Sequence, residues 1–215
     1  MSQSALEARA EFLLGLRARG IGDLDLLRAL ETVPRENFVP HRYADLANRD
    51  MALPIACGQT MPEPFLVARM MEALALTPQL RVLEIGAGSG YATAILARLS
   101  GQVVALERFQ ALAISAMTRL DRLGIGNAGI IWGDGLALGR ASGLFDRIVI
   151  NALVGQVPQN LVGALAPGGM VLAAFAGGQG QVLRRLVQNA EGGFEATQVC
   201  PSRLRPLIPG VSQEL

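Results

Sequence analysis

Lysine is absent from this 215-residue chain, and all 19 basic residues are arginine. That excludes a Schiff-base lysine and the lysine of a phosphate-binding P-loop. Histidine occurs once, at His41, so a histidine-dependent triad has one candidate and a multi-histidine zinc site has none. His41 follows Val39-Pro40 and reads as a surface residue. The two cysteines, Cys57 and Cys200, are too few for a disulfide framework and lack metal-ligand spacing, so a reducing cytoplasm and no metal are expected. Net charge is only +1 and the arginines are scattered, which leaves no footprint for a nucleic acid. No apolar run reaches the roughly 18 residues of a membrane-spanning helix. Met1 to Glu7 has no basic head followed by an apolar stretch, so no secretory signal is expected. Chemistry is left to carboxylates, backbone amides, hydroxyls and a bound cofactor.

What is present suits one globular unit: 51% of residues are hydrophobic and 17% charged. The expectation is a single domain over 1–215, with N-terminal helices and a connecting loop in 1–79 and an α/β core in 80–215. The first 40 residues read as two short helices. Ser4 and Glu7 have capping-box spacing, and Leu6, Leu13 and Leu16 recur on one face. Gly22 breaks that helix, Asp23 can cap the next, and Pro34 ends it. Residues 41–63 show little periodicity, which predicts a long connection of the kind that carries function. Pro64 suits the first position of a helix running to about Leu76.

From residue 80 the pattern alternates. Short buried strands are predicted at 81–85, 102–106, 128–132, 145–150 and 169–175, with helices near 90–99, 109–123 and 157–165. Such alternation builds a doubly wound, mostly parallel α/β sheet. Residues 181–189 and 194–200 flank Glu191-Gly192-Gly193 and read as an antiparallel hairpin at the edge.

The sharpest local signal is Val82-Leu83-Glu84-Ile85-Gly86-Ala87-Gly88-Ser89-Gly90-Tyr91, a buried strand entering a glycine turn that opens a helix. Such a turn lets a ligand approach the backbone and presents amides at a helix N-terminus. A dinucleotide fingerprint needs glycine where Tyr91 stands. The spacing instead resembles the S-adenosyl-L-methionine turn of class I methyltransferases. Glu107 follows at the end of the second strand, where an acid can accept both ribose hydroxyls. Asp134, in Gly133-Asp134-Gly135, stands where such enzymes bind the adenine amino group. After the fourth strand comes Asn151-Ala152-Leu153, without the prolines and aromatic residue of base methyltransferases.

Two further blocks narrow the resemblance: Val33-Pro34-Arg35-Glu36-Asn37-Phe38-Val39-Pro40, and Asp50 to Met61 containing Leu53-Pro54-Ile55 and Gly58-Gln59-Thr60. With the glycine turn, Glu107-Arg108, Phe145 to Val149 and Arg205-Pro206-Leu207-Ile208, they resemble the protein-L-isoaspartate O-methyltransferases over about residues 30–208. The resemblance implies that Gln59, Thr60, Met61, Glu84, Gly86, Ala87, Gly88, Ser89, Gly90, Glu107, Arg108, Asp134 and Gly135 bind the cofactor. It places Pro54, Ile55, Cys57 and Pro62 on the substrate side, and Thr60, Asp50 and Asn151 at the chemistry. A protein or peptide with an isoaspartyl site is the implied partner, without nucleic acid or membrane, acted on by a monomer or weak dimer.

The chain departs from that pattern. The family's serine after Gly-Gln-Thr is Pro62, a usual tyrosine is Asn48, and a usual threonine is Asn151. Proline supplies neither a hydroxyl nor an amide donor. Two other readings stay open from sequence: a methyltransferase of the same ancestry with another acceptor, and a cofactor-binding module without catalysis.

Overall fold

The computed structural model describes residues 3–138 and 143–212. Helix α1 (Gln3–Ala18) is already under way at Gln3, so Ser4 lies within its first turn rather than at the expected cap. It stops before Gly20, whose φ of 93° makes the left-handed turn two residues ahead of the expected break at Gly22. Helix α2 (Leu24–Thr32) begins as expected on Asp23, whose Oδ1 accepts the N–H groups of Asp25 and Leu26 at 2.9 and 3.0 Å.

The following connection is not irregular throughout. After two short 3-10 turns, β1 (Leu53–Pro54) pairs antiparallel with β2 (Thr60–Met61). Cys57 and Gly58, at φ 56° and 61°, supply the two left-handed residues that a type I′ hairpin turn uses. Gln59 N–H closes the turn on the Ala56 carbonyl at 3.1 Å. Pro64 opens α3 (Pro64–Leu74), which ends two residues short of Leu76 because Ala75 turns left-handed at φ 46°.

The strands β3 (Arg81–Ile85), β4 (Gln102–Glu107) and β5 (Ala128–Trp132) alternate with α4 (Tyr91–Leu99) and α5 (Gln110–Arg122). Then come β6 (Phe145–Val154), a four-residue α6 (Gln159–Val162), β7 (Leu165–Gly177), β8 (Gly180–Gln188) and β9 (Phe194–Ser202). The sheet order is β5-β4-β3-β6-β7-β8-β9, parallel through β7 and antiparallel beyond it. Alternate residues of each central strand enter opposite cores. Val82, Val103, Ala105 and Val149 pack with side chains of α2 to α5, whereas Leu83, Ile85, Ile148 and Ile150 pack with Leu161 and Leu165. Truncating a wholly buried side chain such as Leu83 to alanine costs about 2–5 kcal/mol.

Two features of this architecture position a site. Strand order reverses between β3 and β6, which opens a crevice at their carboxyl ends. The segment after β9 then crosses that end of the sheet. Leu153 N–H donates to the Arg205 carbonyl at 2.8 Å, and Leu207 N–H to the Leu153 carbonyl at 2.9 Å. β6 runs beyond residue 150, where the strand was expected to end, because after a register shift Leu153 and Val154 resume pairing with Ala174 and Phe175 of β7. The returning segment adds a single bridge at Leu153. Among the described residues no helix is long and apolar enough to cross a membrane.

Candidate active site

A cleft of about 460 Å³ lies at the β3–β6 crevice, within the usual range for a site that takes a small molecule. Its floor is the glycine turn. Gly88, at φ 56°, leaves an open cradle: a Cβ there would meet Ile55 Cδ1 at 3.4 Å. Gly90, at φ 87°, is required by packing, because its Cβ would come within 3.0 Å of Ala116 on α5. Most amides of the turn are already engaged, and of them Ser89 N–H alone makes no hydrogen bond among the described residues. Those of Gly86 and Ala87 bond the Leu106 carbonyl at 2.8 and 3.1 Å, and that of Gly88 bonds Glu107 Oε2 at 2.7 Å. The turn therefore offers a ligand its shape and the one amide of Ser89.

Glu107 is 4% exposed and lines the cleft beside Arg108 and Phe109. Its second oxygen, Oε1, accepts the Phe109 N–H at 2.9 Å. Each oxygen keeps lone-pair capacity for a ligand hydroxyl. Glu84 lies deeper and is wholly buried. Thr93 Oγ1 donates to its Oε2 at 2.6 Å and Asn151 Nδ2 to its Oε1 at 2.7 Å. Loss of water pushes its pKa up to about 7; the two hydrogen bonds oppose that rise and Glu107 adds to it.

The substrate-side block supplies the other wall through Ile55, Gln59, Thr60, Met61 and Pro62. Thr60 is exposed, and its hydroxyl makes no hydrogen bond among the described residues. Met61 is buried and accepts a hydrogen bond from Ser89 Oγ at 3.6 Å, which joins this wall to the glycine turn. The cleft thus brings together Ile55, Gln59, Thr60, Met61, Pro62, Gly86, Ala87, Gly88, Ser89, Glu107, Arg108 and Asn151.

Other expected residues stand outside that lining. Asp50 pairs with Arg19, and its Oδ1 accepts the Phe65 N–H at 3.0 Å, capping α3 from a distance. Asp134 accepts Leu136 N–H on Oδ1 and Gly210 N–H on Oδ2, both at 2.8 Å, so its outer oxygen faces the returning chain. Gly135 presses on β3, where a Cβ would lie 2.5 Å from Ile85 Cγ2. Pro54 is exposed on β1, and Cys57 sits half-buried in the hairpin turn. Gly90 and Glu84 support the floor from behind. His41 opens a 3-10 turn, exposed and away from the cleft.

Sequence reasoning missed the wall built from Arg203 to Ile208 and the buried Arg35. Gln181 fixes that wall by clamping Leu204, accepting its N–H at 2.8 Å and donating to its carbonyl at 3.0 Å. No local pattern announces a contact between residues 181 and 204. Among the described residues, no three histidine, cysteine or acidic side chains are grouped to hold a metal.

The open cradle at Gly88, the acid at the end of β4 and the cleft volume fit S-adenosyl-L-methionine, and together with the sheet they define a class I methyltransferase that uses this cofactor. Comparison with known proteins agrees. Residues 7–212 match the protein-L-isoaspartate(D-aspartate) O-methyltransferase family, and the chain belongs to it. A protein-L-isoaspartate O-methyltransferase of Azorhizobium caulinodans is 48% identical over 214 residues, covering 98% of this chain and 97% of its own. Protein-L-isoaspartate O-methyltransferase 2 of Rhodopseudomonas palustris (strain HaA2) is 46% identical over 204 residues, covering 95% and 94%. A Plasmodium falciparum chain assigned to the same activity, solved with S-adenosyl-L-homocysteine, superposes with a TM-score of 0.80 at 25% identity, covering 92% of this chain and 97% of that one.

Proposed function

We propose that this protein methylates the carboxylate of L-isoaspartyl residues in damaged proteins or peptides, with S-adenosyl-L-methionine as methyl donor. The observation that carries the reading is the family match across 7–212, joined to a cleft walled by the family's own Gln59-Thr60 block. The cofactor supplies an electrophilic methyl group on a sulfonium. Gly86 to Gly88 would cradle it, Glu107 would accept its ribose hydroxyls, and Arg108 and Phe109 would flank it.

The acceptor carboxylate, with an ordinary pKa near 4, is already ionised at neutral pH, so no side chain has to remove a proton. The chain's contribution is then position and exclusion of water. Thr60 stands two residues from Pro62, and both line the cleft. In this reading Thr60 is the hydroxyl that remains where the family's serine is lost. Its Oγ1 donates to the acceptor carboxylate and holds it in line. Ile55 and Pro62 shape the apolar side of the peptide path.

We further read the chain as one methyltransferase unit, with 1–79 as its substrate side, acting in the cytoplasm as a monomer or weak dimer without nucleic acid or membrane. The test is methyl transfer from labelled cofactor to matched peptides that differ only in isoaspartyl or normal aspartyl linkage. Label should enter the isoaspartyl peptide alone as a base-labile ester. Equal labelling of both, or of neither while cofactor binds, would overturn the assignment.

A further inference from the structure

Arg35 is 2% exposed and makes no ion pair among the described residues. Its guanidinium donates instead to three backbone carbonyls: Nη1 to Ala47 at 2.6 Å, and Nη2 to Met51 at 3.0 Å and Pro62 at 2.8 Å. Those acceptors lie at both ends of the 47–62 segment, which contains the β1–β2 hairpin and the Thr60–Pro62 edge of the cleft. The planar fork of arginine can hold several oxygens at fixed angles, which a flexible ammonium cannot. The same guanidinium lies 5.9 Å from the centre of the Tyr91 ring, within cation–π range. Tyr91 is the first residue of α4 and directly follows the glycine turn. Phe38, three residues beyond Arg35, packs edge-on against that ring at 5.4 Å. One side chain therefore touches the substrate-side segment and the element that carries the cofactor cradle.

Burying an arginine without a counter-ion is costly for stability alone, since apolar replacements of buried charges are often neutral or stabilising. Burial draws its pKa down to about 10, with Tyr91, Asp50 and Glu63 opposing the shift, so it stays cationic at neutral pH. Its Nε–H is buried without a partner, so the three carbonyls rather than a full set of bonds define the placement. Transfer of a methyl group is sensitive to such placement: a displacement of about 1 Å costs on the order of a hundredfold in rate.

We propose that Arg35 is a positioning residue for methyl transfer, fixing the Thr60–Pro62 edge of the cleft relative to the glycine turn. The consequence for turnover rests on the isoaspartyl reading above; the ordering of 47–62 does not. Arg35→Lys keeps the charge and loses the fork, and Arg35→Met keeps much of the stem and loses both. In each, kcat on an isoaspartyl peptide should fall about ten- to a hundredfold, while peptide KM and affinity for S-adenosyl-L-homocysteine stay within about threefold. Hydrogen exchange with S-adenosyl-L-homocysteine bound should quicken in 47–62 and stay unchanged in β3 to β7. Folded variants with kcat within about twofold of wild type, and a loss confined to thermal stability, would overturn the proposal. Wild-type exchange decides the matter if neither variant folds: the hydrogen-bonded amides of Ile55 and Gln59 must be protected, and rapid exchange at both refutes the proposal. Failure of the wild type to methylate any isoaspartyl peptide would remove the substrate reading, and exchange would still test Arg35.

Discussion

Asn151 commits both of its amide hydrogens beneath the glycine turn, donating from Nδ2 to Glu84 Oε1 at 2.7 Å and to the Gly86 carbonyl at 2.9 Å. The Gly86 carbonyl can only accept, so the amide orientation is set by its partner. Oδ1 alone remains for the cleft. Asn151 therefore offers a ligand an acceptor, not the donor that a lost serine hydroxyl would leave wanting. Asn151→Ala should weaken binding of S-adenosyl-L-homocysteine by about 1–3 kcal/mol in calorimetry. Asn151→Asp should be worse than alanine at pH 8, since it sets a second carboxylate against Glu84 and another acceptor against Gly86.

Glu84 should make stability fall as pH rises. Its folded pKa of about 7 exceeds the ordinary carboxylate value near 4.5, so between those values the folded chain holds a proton that the unfolded chain has released. The stabilisation is complete below about 4.5 and is lost as pH rises through about 7. Glu84→Gln imitates the protonated form, with its amide donating to Thr93 and its oxygen accepting from Asn151. Melting temperatures from pH 5 to 8 should show the wild type falling relative to Glu84→Gln by a few degrees. A constant difference across that range would contradict the buried carboxyl.

Thr60 and Pro62 should behave as a pair. Thr60→Val removes the free hydroxyl and should lower turnover on an isoaspartyl peptide about ten- to a hundredfold with cofactor affinity kept. Pro62→Ser should raise turnover by a similar factor, and its carbonyl can still accept from Arg35. In the Pro62→Ser background, Thr60→Val should cost less than it does alone. Additive effects would mean that the two hydroxyls serve different groups.

Cys57 holds a left-handed backbone at φ 56°, which costs a residue with a Cβ roughly 1–2 kcal/mol. Cys57→Gly should raise stability by several tenths of a kcal/mol once the added chain entropy is counted, and Cys57→Val should lower it by more. Denaturant unfolding of the two variants gives the comparison directly.

The legible parts of the fold are those where local pattern and tertiary burial agree. The apolar runs at 81–85 and 128–132 became β3 and β5 with the expected bounds, because each is short and bounded by a turn. Only β3 is buried, whereas β5 is an edge strand with Ile131 and Trp132 exposed. The β1–β2 hairpin was not legible, since its turn uses Cys57-Gly58 in place of the usual asparagine–glycine. β6 ran past residue 150 because a register shift lets Leu153 and Val154 go on pairing with β7, which no local pattern announces. The site divides in the same way. Glu107 and the glycine turn declare themselves by spacing, whereas Arg35 is one arginine among many until the chain brings three carbonyls to it. Asp50 and Asp134 were legible as acids but not by partner: Arg19 and Gly210 claim them over sequence distances that carry no signal.

The returning segment also fixes when the site can exist. Arg108 Nε donates to the Gly210 carbonyl at 3.0 Å, and Ser212 N–H donates to the Arg108 carbonyl at 2.7 Å. The first of these contacts joins residues 102 positions apart. At a synthesis rate of about 5–20 residues per second, the half bearing the cofactor cradle emerges roughly 5–20 s before the chain that completes its wall. A nascent chain in that interval has the glycine turn and Glu107 without Arg203 to Ile208. Occupancy of the finished cleft therefore reports on a chain already translated past Gly210, and cofactor held by that wall cannot guide the earlier half as it folds.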